Sequence, residues 1–129
     1  MKITDFLKEN ILILDGGMGT LLQERGLAIG ELPERWSISH PEVITEIHRA
    51  YFDAGSNVVN TNTFGANSLK FSDEELDEIV RAAVDCARAA REQSSGEQEK
   101  WIALDIGPTG KMLKPYGDLD FGDAVEIFA

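Results

Sequence analysis

The chain has 129 residues, of which 43% are hydrophobic and 27% are charged, and its formal net charge at pH 7 is −11. This length suits one domain with its own core, and the acidic balance argues against nucleic acid or an anionic membrane as partner. No apolar run is long enough to cross a bilayer and no apolar signal region is present at the N-terminus, so we expect a cytoplasmic protein.

The first predicted strand is ILILD, residues 11–15, which leads directly into the glycine-rich turn GGMGT at 16–20. A long connection follows, with room for a short helix in MGTLLQERG at 18–26. The segment PEVITEIHRAYFDAG, residues 41–55, is predicted to be helical. Proline suits the first helical position, and apolar residues recur there at helical spacing.

The second predicted strand is the short β-branched segment NVVNTN at 57–62. The clearest predicted helix spans 72–93. Ser72 and Glu75 have the spacing of a capping box, and small and aliphatic residues line one stripe of this helix. The capping signal therefore predicts where this helix starts, and the apolar stripe predicts the face that it buries.

A third short strand, WIALDI, is predicted at 101–106, and FGDAVEIFA at 121–129 begins a further helix. The order is thus β-α-β-α-β-α. Such alternation favours parallel strands joined by right-handed helical crossovers, as in a (β/α) barrel or a doubly wound sheet.

Each predicted strand begins with aliphatic residues and ends with polar ones. Asp15 closes the first, Asn60 and Asn62 lie at the end of the second, and Asp105 lies near the end of the third. Ligands of parallel α/β folds bind beyond the carboxyl ends of the strands. We therefore expect a binding site where these polar ends meet.

The turn at 16–20 suggests the kind of ligand. A carboxylate at Asp15 suits an ammonium group, and a turn nearly free of side chains lets backbone N–H groups approach an anion. Together they suit a zwitterion, of which an amino acid is the simplest. In the alternative, Asp15 caps a following helix and the glycines only permit a tight turn. The turn matches neither a dinucleotide fingerprint nor a P-loop.

The segment TNTFGAN at 61–67 combines amide and hydroxyl groups with Phe64. We interpret it as an aromatic wall with polar anchors, as small-molecule pockets have. Alternatively, its side chains bond only to their own turn. Asp105 likewise has an alternative to a ligand-binding role, as a residue of a buried polar network.

The histidines and the cysteine have structural interpretations. His40 precedes a proline and is predicted to be at a helix start. His48 is predicted on a helix flank and is not interpreted as a catalytic base. Cys86 lies on the apolar stripe of the helix at 72–93, where a small core residue is expected.

The motifs LDGGMGTLLQ, ELPERWSISHPEVITEIHRAYFDAGSNVVNTNTFGAN and DIGPTG resemble the start of the homocysteine S-methyltransferase family. Within that family they most resemble the N-terminal homocysteine-binding domain of the cobalamin-dependent methionine synthases. The resemblance extends over nearly the whole chain. It implies an α/β fold in which residues 1–129 form a partial domain, the first three βα units of a truncated (β/α)8 TIM barrel.

The implied activity of the complete enzyme is methyl transfer to homocysteine in methionine biosynthesis. The resemblance implies zinc, held by three cysteine thiolates, and methylcobalamin as cofactors of that enzyme. The residues of this chain do not themselves distinguish a cobalamin, a betaine or S-methylmethionine as the methyl donor. The single cysteine here, Cys86, matches neither cysteine motif of the family. We therefore expect no metal ligand, no catalytic residue and no bound cofactor in this chain alone, which we expect to be inactive by itself.

The family's substrate-binding motifs imply roles for nine residues. The aspartate of its D-G-G motif, here Asp15, binds the substrate amino group. The turn and the aromatic motif that line the pocket comprise Gly16, Gly17, Met18, Gly19, Thr20, Asn62, Phe64 and Gly65. The expected partner is the small-molecule substrate homocysteine.

Three parallel strands cannot close a barrel, so two sheet edges would remain unpaired. We therefore expect either that the chain self-associates through these edges or that it is a piece of a longer protein. The alternative to an enzyme segment is a non-catalytic amino-acid-binding or structural α/β fragment.

Overall fold

The computed structural model describes all residues from Met1 to Ala129. None of its helices combines the length and the apolar character that crossing a bilayer requires. A 3-10 turn at Pro33–Arg35 accompanies the regular elements, which in chain order are α1 Ile3–Phe6, α2 Gly19–Glu24, α3 Trp36–Ser39, α4 Pro41–Asp53, β1 Val58–Asn60, α5 Asp73–Gln93, β2 Trp101–Ala103 and α6 Phe121–Phe128.

The sheet is small and parallel. β1 pairs with β2 in a register that sets Val58 opposite Trp101. The segment 11–15 lies on the other side of β1 and joins it through one parallel bridge, Leu14 with Val58. The predicted parallel direction is therefore confirmed, but the structure contains two short strands and a bridged segment in place of three full strands.

Side chains explain why the strands are shorter than predicted. At the start of the bridged segment, the N–H of Ile13 donates to Asn57 Oδ1 at 3.0 Å, where a regular ladder would use a backbone carbonyl. Beyond β2, the N–H of Asp105 donates to Thr61 Oγ1 at 3.1 Å. Side-chain hydrogen bonds thus replace the ladder at both places.

Helix α5 begins as its sequence predicts. Ser72 Oγ accepts a hydrogen bond from the N–H of Glu75 at 3.3 Å. The reciprocal bond of a capping box is missing because the Glu75 carboxylate accepts from Arg35 Nε instead, at 2.6 Å. The capping residue is confirmed, and the carboxylate joins α5 to the 3-10 turn.

Helices α4 and α5 pack against each other and cover β1. One core cluster comprises Leu22, Trp36, Ile44, Ile47 and Cys86, and a second comprises Phe52, Val59, Ala87 and Ala90. The small residues of α5 allow this close approach. The aliphatic side chains of 11–15 have no such cover, and Ile11 is 86% exposed.

Candidate functional site

The carboxyl ends of the three parallel segments border one cleft of about 320 Å³. Its charged side chains are all carboxylates. Of the nine residues predicted for the site, the cleft brings together Asp15, Gly16, Met18, Gly19, Asn62 and Phe64. Its other lining residues are Pro33, Glu34, Asn60, Thr61 and Asp105. Gly17, Thr20 and Gly65 are adjacent in sequence but do not line it.

Asp15 joins two of the parallel segments at their polar ends. Its Oδ2 accepts from the backbone N–H of Asn60 at 2.9 Å, and its Oδ1 accepts from Asn60 Nδ2 at 2.7 Å. Helix α2 has Met18 at its N-cap and no side-chain cap bond, so the alternative in which Asp15 caps it is wrong. A carboxylate has about four lone-pair sites, so Asp15 still has acceptor capacity.

The glycine-rich turn 16–20 presents unused backbone donors. None of its N–H groups donates to a protein acceptor, and most of the turn is exposed. Tyr51 Oη donates to the carbonyl of Gly17 at 2.7 Å and so ties the turn to α4. The turn is thus held in place by its carbonyl while its donors remain available.

A chain of hydroxyl groups connects the ends of β1 and β2. Thr63 Oγ1 donates to the carbonyl of Asp105 at 2.7 Å, and Thr61 Oγ1 lies 2.7 Å from Thr63 Oγ1. Because the Thr63 proton is already used, Thr61 must be the donor in that pair. The backbone of Asp105 therefore belongs to a polar network, while its side chain borders the cleft. Desolvation, with a further effect of the Asp15 charge, raises the pKa of the Asp105 carboxyl.

Asn62 and Phe64 have different surroundings. Asn62 is buried, and its Nδ2 donates to the carbonyl of Pro33 at 2.8 Å and to Ser37 Oγ at 3.3 Å. It therefore holds the 3-10 turn beside the cleft. Phe64 is 60% exposed at the cleft wall, where an apolar part of a ligand would cover it.

Glu34 is a cleft residue that the sequence reasoning missed. It is only 5% exposed, and its Oε1 accepts from the N–H of Gly65 at 2.8 Å. A Cβ at position 65 would collide with that same oxygen, so a larger residue there would require the Glu34 carboxylate to shift. In sequence, Glu34 is one of two acids in the segment 27–35, and no local pattern indicates that it becomes buried.

His40 and His48 differ in how well they were predicted. His40 is at the start of α4, as expected, and stacks on Trp36 with ring centroids 4.1 Å apart. The prediction of a helix flank for His48 was wrong, because its ring is fully buried and neither nitrogen has a partner. Desolvation lowers the pKa of His48 to about 4, against an opposing effect of Asp15, so the ring is neutral at pH 7.

Comparison with known proteins identifies the family. The sequence model of homocysteine S-methyltransferases matches residues 12–129. The chain belongs to this family. The methionine synthases of Mycobacterium tuberculosis and Mycobacterium leprae are 30% and 29% identical to it over 121 residues. Each alignment covers 85% of this chain and 10% of the relative, so the chain spans about a tenth of their length.

Solved homocysteine methyltransferases share part of this fold. The oxidized form of MmuM from Escherichia coli superposes with a TM-score of 0.72 at 26% identity, covering 84% of this chain and 41% of that one. Its metallated form superposes with a TM-score of 0.66, also at 26% identity, covering 82% of this chain and 41% of that one. This chain is therefore an α/β structure similar to part of a homocysteine methyltransferase.

The residues of this family member do not form a zinc site. Cys86 is buried, with its Sγ 3.6 Å from the carbonyl oxygen of Pro41 and 3.8 Å from that of Ser37. Burial raises the pKa of its thiol, which disfavours the thiolate that a metal needs. No group of three or more His, Cys, Asp or Glu side chains is arranged to hold a metal ion.

Proposed function

We propose that this chain is the substrate-positioning segment of a homocysteine S-methyltransferase of the methionine synthase type, and that residues 1–129 form the first part of a (β/α)8 barrel domain. One observation carries the proposal. The Asp15 carboxylate and the unused N–H groups of the turn 16–20 border the same cleft. An amino acid has an ammonium group for the first and a carboxylate for the second.

The charge of the cleft supports binding of the ammonium group. Its charged lining residues are Asp15, Glu34 and Asp105, with no lysine or arginine among the lining residues. Both oxygens of Asp15 are held by Asn60, so the carboxylate is oriented before the ligand arrives. Hydrogen bonds that involve a charged group contribute about 1.5–3 kcal/mol each.

The turn supports binding of the carboxylate group. We assign this role to the backbone of Gly16, Met18 and Gly19, which line the cleft, while Gly17 and Thr20 complete the turn beside it; none of these N–H groups has a protein acceptor. Phe64 would cover the methylene carbons of the ligand. We assign Asn62 and Gly65 to holding the loop that carries this ring, because Asn62 bonds to the Pro33 carbonyl and Gly65 bonds to Glu34.

In this proposal the chain contributes orientation, and none of its groups makes or breaks a bond. Orientation alone can contribute several kcal/mol to lowering a barrier, in the range of about 7–11 kcal/mol for ideal cases. The zinc that the family resemblance implies would supply thiol activation in the complete enzyme, and methylcobalamin would be the methyl donor. Both would be held by residues outside this chain, whose own side chains do not fit the metal.

Titration calorimetry of this chain with L-homocysteine, with and without Zn²⁺, tests the proposal. We expect binding that does not depend on zinc and that Asp15→Asn weakens about 10- to 100-fold. Asp118→Asn, an exposed acid outside the cleft, is the matched control. Zinc-dependent binding would contradict the assignment of the metal to other residues, and an unchanged affinity in Asp15→Asn would remove Asp15 from the ammonium role.

The exposed aliphatic segment supports a second, structural proposal. We infer that the chain self-associates through residues 11–15, because Ile11, Ile13 and Leu14 are all exposed beside an unpaired sheet edge. Sedimentation at micromolar concentration tests this inference. A stable, folded monomer would refute it, and a self-associating chain that does not bind homocysteine would favour a structural fragment over an enzyme segment.

A further inference from the structure

The most unusual polar group of the cleft belongs to Glu34. Its Oε1 is bonded to the N–H of Gly65, but its Oε2 is buried and has no hydrogen-bond partner. The two oxygens of Asp15, by contrast, each hold one donor from Asn60. The buried acceptor of the cleft that has no partner is therefore on Glu34.

No cation of the chain forms an ion pair with this oxygen. Glu34 takes part in none of the ion pairs. The Nζ of Lys70 lies beside Gly65 and the Glu34 carboxylate, but Oε2 has no hydrogen bond and Glu34 has no ion pair with it. A buried acceptor without a partner costs about 1–3 kcal/mol, and more when the group is charged. A ligand that brings an N–H donor recovers this cost, so the cleft favours ligands with a positively charged amino group.

We propose that Glu34 is a further positioning residue for the substrate, which binds the α-ammonium group together with Asp15. This inference rests on the proposed function, because both carboxylates border the cleft assigned to the amino acid. An ammonium group has three donors, enough in number to bond to both Asp15 and Glu34, which line this cleft. The terminal torsion of a glutamate side chain is soft, so the carboxylate can turn to present Oε2 to a ligand in the cleft. Glu34 thereby selects amino acids over acids that lack the amino group.

Calorimetry of the full 129-residue chain with a pair of ligands tests this role. L-Homocysteine is compared with 4-sulfanylbutanoate, which has the same carbon chain and thiol but no amino group. We expect the wild-type chain to prefer homocysteine about 10- to 100-fold. In Glu34→Gln, the amide oxygen still accepts from Gly65 while an NH₂ group replaces Oε2. The preference should therefore fall by about tenfold or more.

Glu42→Gln, which changes an exposed glutamate of α4, is the matched control and should keep the full preference. If the wild-type chain prefers homocysteine and Glu34→Gln prefers it equally, the role of Glu34 is overturned and the proposed function stands. If the wild-type chain binds neither ligand, or both equally, the proposed function and this inference both fail.

A second measurement covers the case in which Glu34→Gln does not fold. The wild-type chain is labelled with ¹³C at its glutamate carboxyl groups, and the Glu34 resonance is followed during titration. We expect this resonance to move with homocysteine and to stay in place with 4-sulfanylbutanoate. A Glu34 resonance that responds equally to both ligands, or to neither, would overturn the proposal.

Discussion

The helix pair α4 and α5 and the segment 11–15 are both rich in apolar residues, yet the two regions differ greatly in how much of these side chains is exposed to solvent. The helices bury Ile44, Phe52 and Ile79 completely, whereas Ile11 remains 86% exposed. A helix satisfies its own backbone and needs only one covered face, but a parallel strand needs a neighbour for its backbone and cover for its side chains. The difference shows that apolar residues favour burial, but that the elements packed against them decide whether they are buried.

The largest effect should come from a cavity in the helical layer, by which we mean helices α4 and α5 packed on β1. Phe52 is fully buried against Val59 and Ala87, so Phe52→Ala should lower the free energy of unfolding by about 3–5 kcal/mol. Ile11→Ala, in the exposed segment, should change it by less than about 0.5 kcal/mol. Urea unfolding of both variants measures the contrast. Equal losses would show that the two regions do not differ in burial as described.

Acid should weaken the helical layer through His48. Its pKa is about 4 in the folded chain and about 6.5 as an unperturbed side chain, so the unfolded chain binds more protons between these pH values. The free energy of unfolding is therefore unaffected by His48 above pH 6.5 and falls by about 3 kcal/mol in total as the pH drops toward 4.

Urea unfolding at about pH 7 and about pH 4.5 measures this loss, with other titrating groups common to all variants. His48→Leu should lose less stability on acidification than the wild-type chain. His40→Gln, which changes the histidine at the start of α4, should behave like the wild type. A loss as large in His48→Leu as in the wild type would assign the acid sensitivity to other groups.

A smaller effect is expected at the start of α5. Ser72→Ala removes the side-chain acceptor for the N–H of Glu75 and should cost about 1 kcal/mol. Ser68→Ala changes a nearby exposed serine that has no hydrogen bond and serves as the control. The midpoint of urea unfolding distinguishes the two variants. An equal midpoint would mean that the cap contributes nothing measurable to the helical layer.

The smallest effect on stability is expected in the exposed segment, where assembly should change instead. Ile11→Lys places a charge at the sheet edge and should leave the free energy of unfolding within about 0.5 kcal/mol of the wild type. Sedimentation should show weaker self-association. Ile29→Lys, at an exposed position outside the segment, should associate as the wild type does. Unchanged association in Ile11→Lys would remove this segment from the interface.

Much of the candidate site could be anticipated from strand ends alone. Asp15, Asn60 and Asp105 each follow an aliphatic run, and parallel strands bring such ends to one edge. The direct pairing of Asp15 with Asn60 could not be anticipated, because it joins residues 45 positions apart. The burial of His48 also escaped prediction, since helical spacing does not reveal which flank faces the sheet.

The sequence by itself determined helices α2, α4, α5 and α6, the cap at Ser72, the parallel order and the polar character of the strand ends, because these depend on local spacing and local hydrogen bonds, whereas the short helices α1 and α3 were not predicted. Only the tertiary structure decided which polar groups are desolvated. Glu34 Oε1 accepts from Gly65 across 31 positions, and Oε2 of the same carboxylate is buried and unpaired beside the cleft. Desolvation depends on everything packed around a group, so it cannot be read from the residues next to it in the chain.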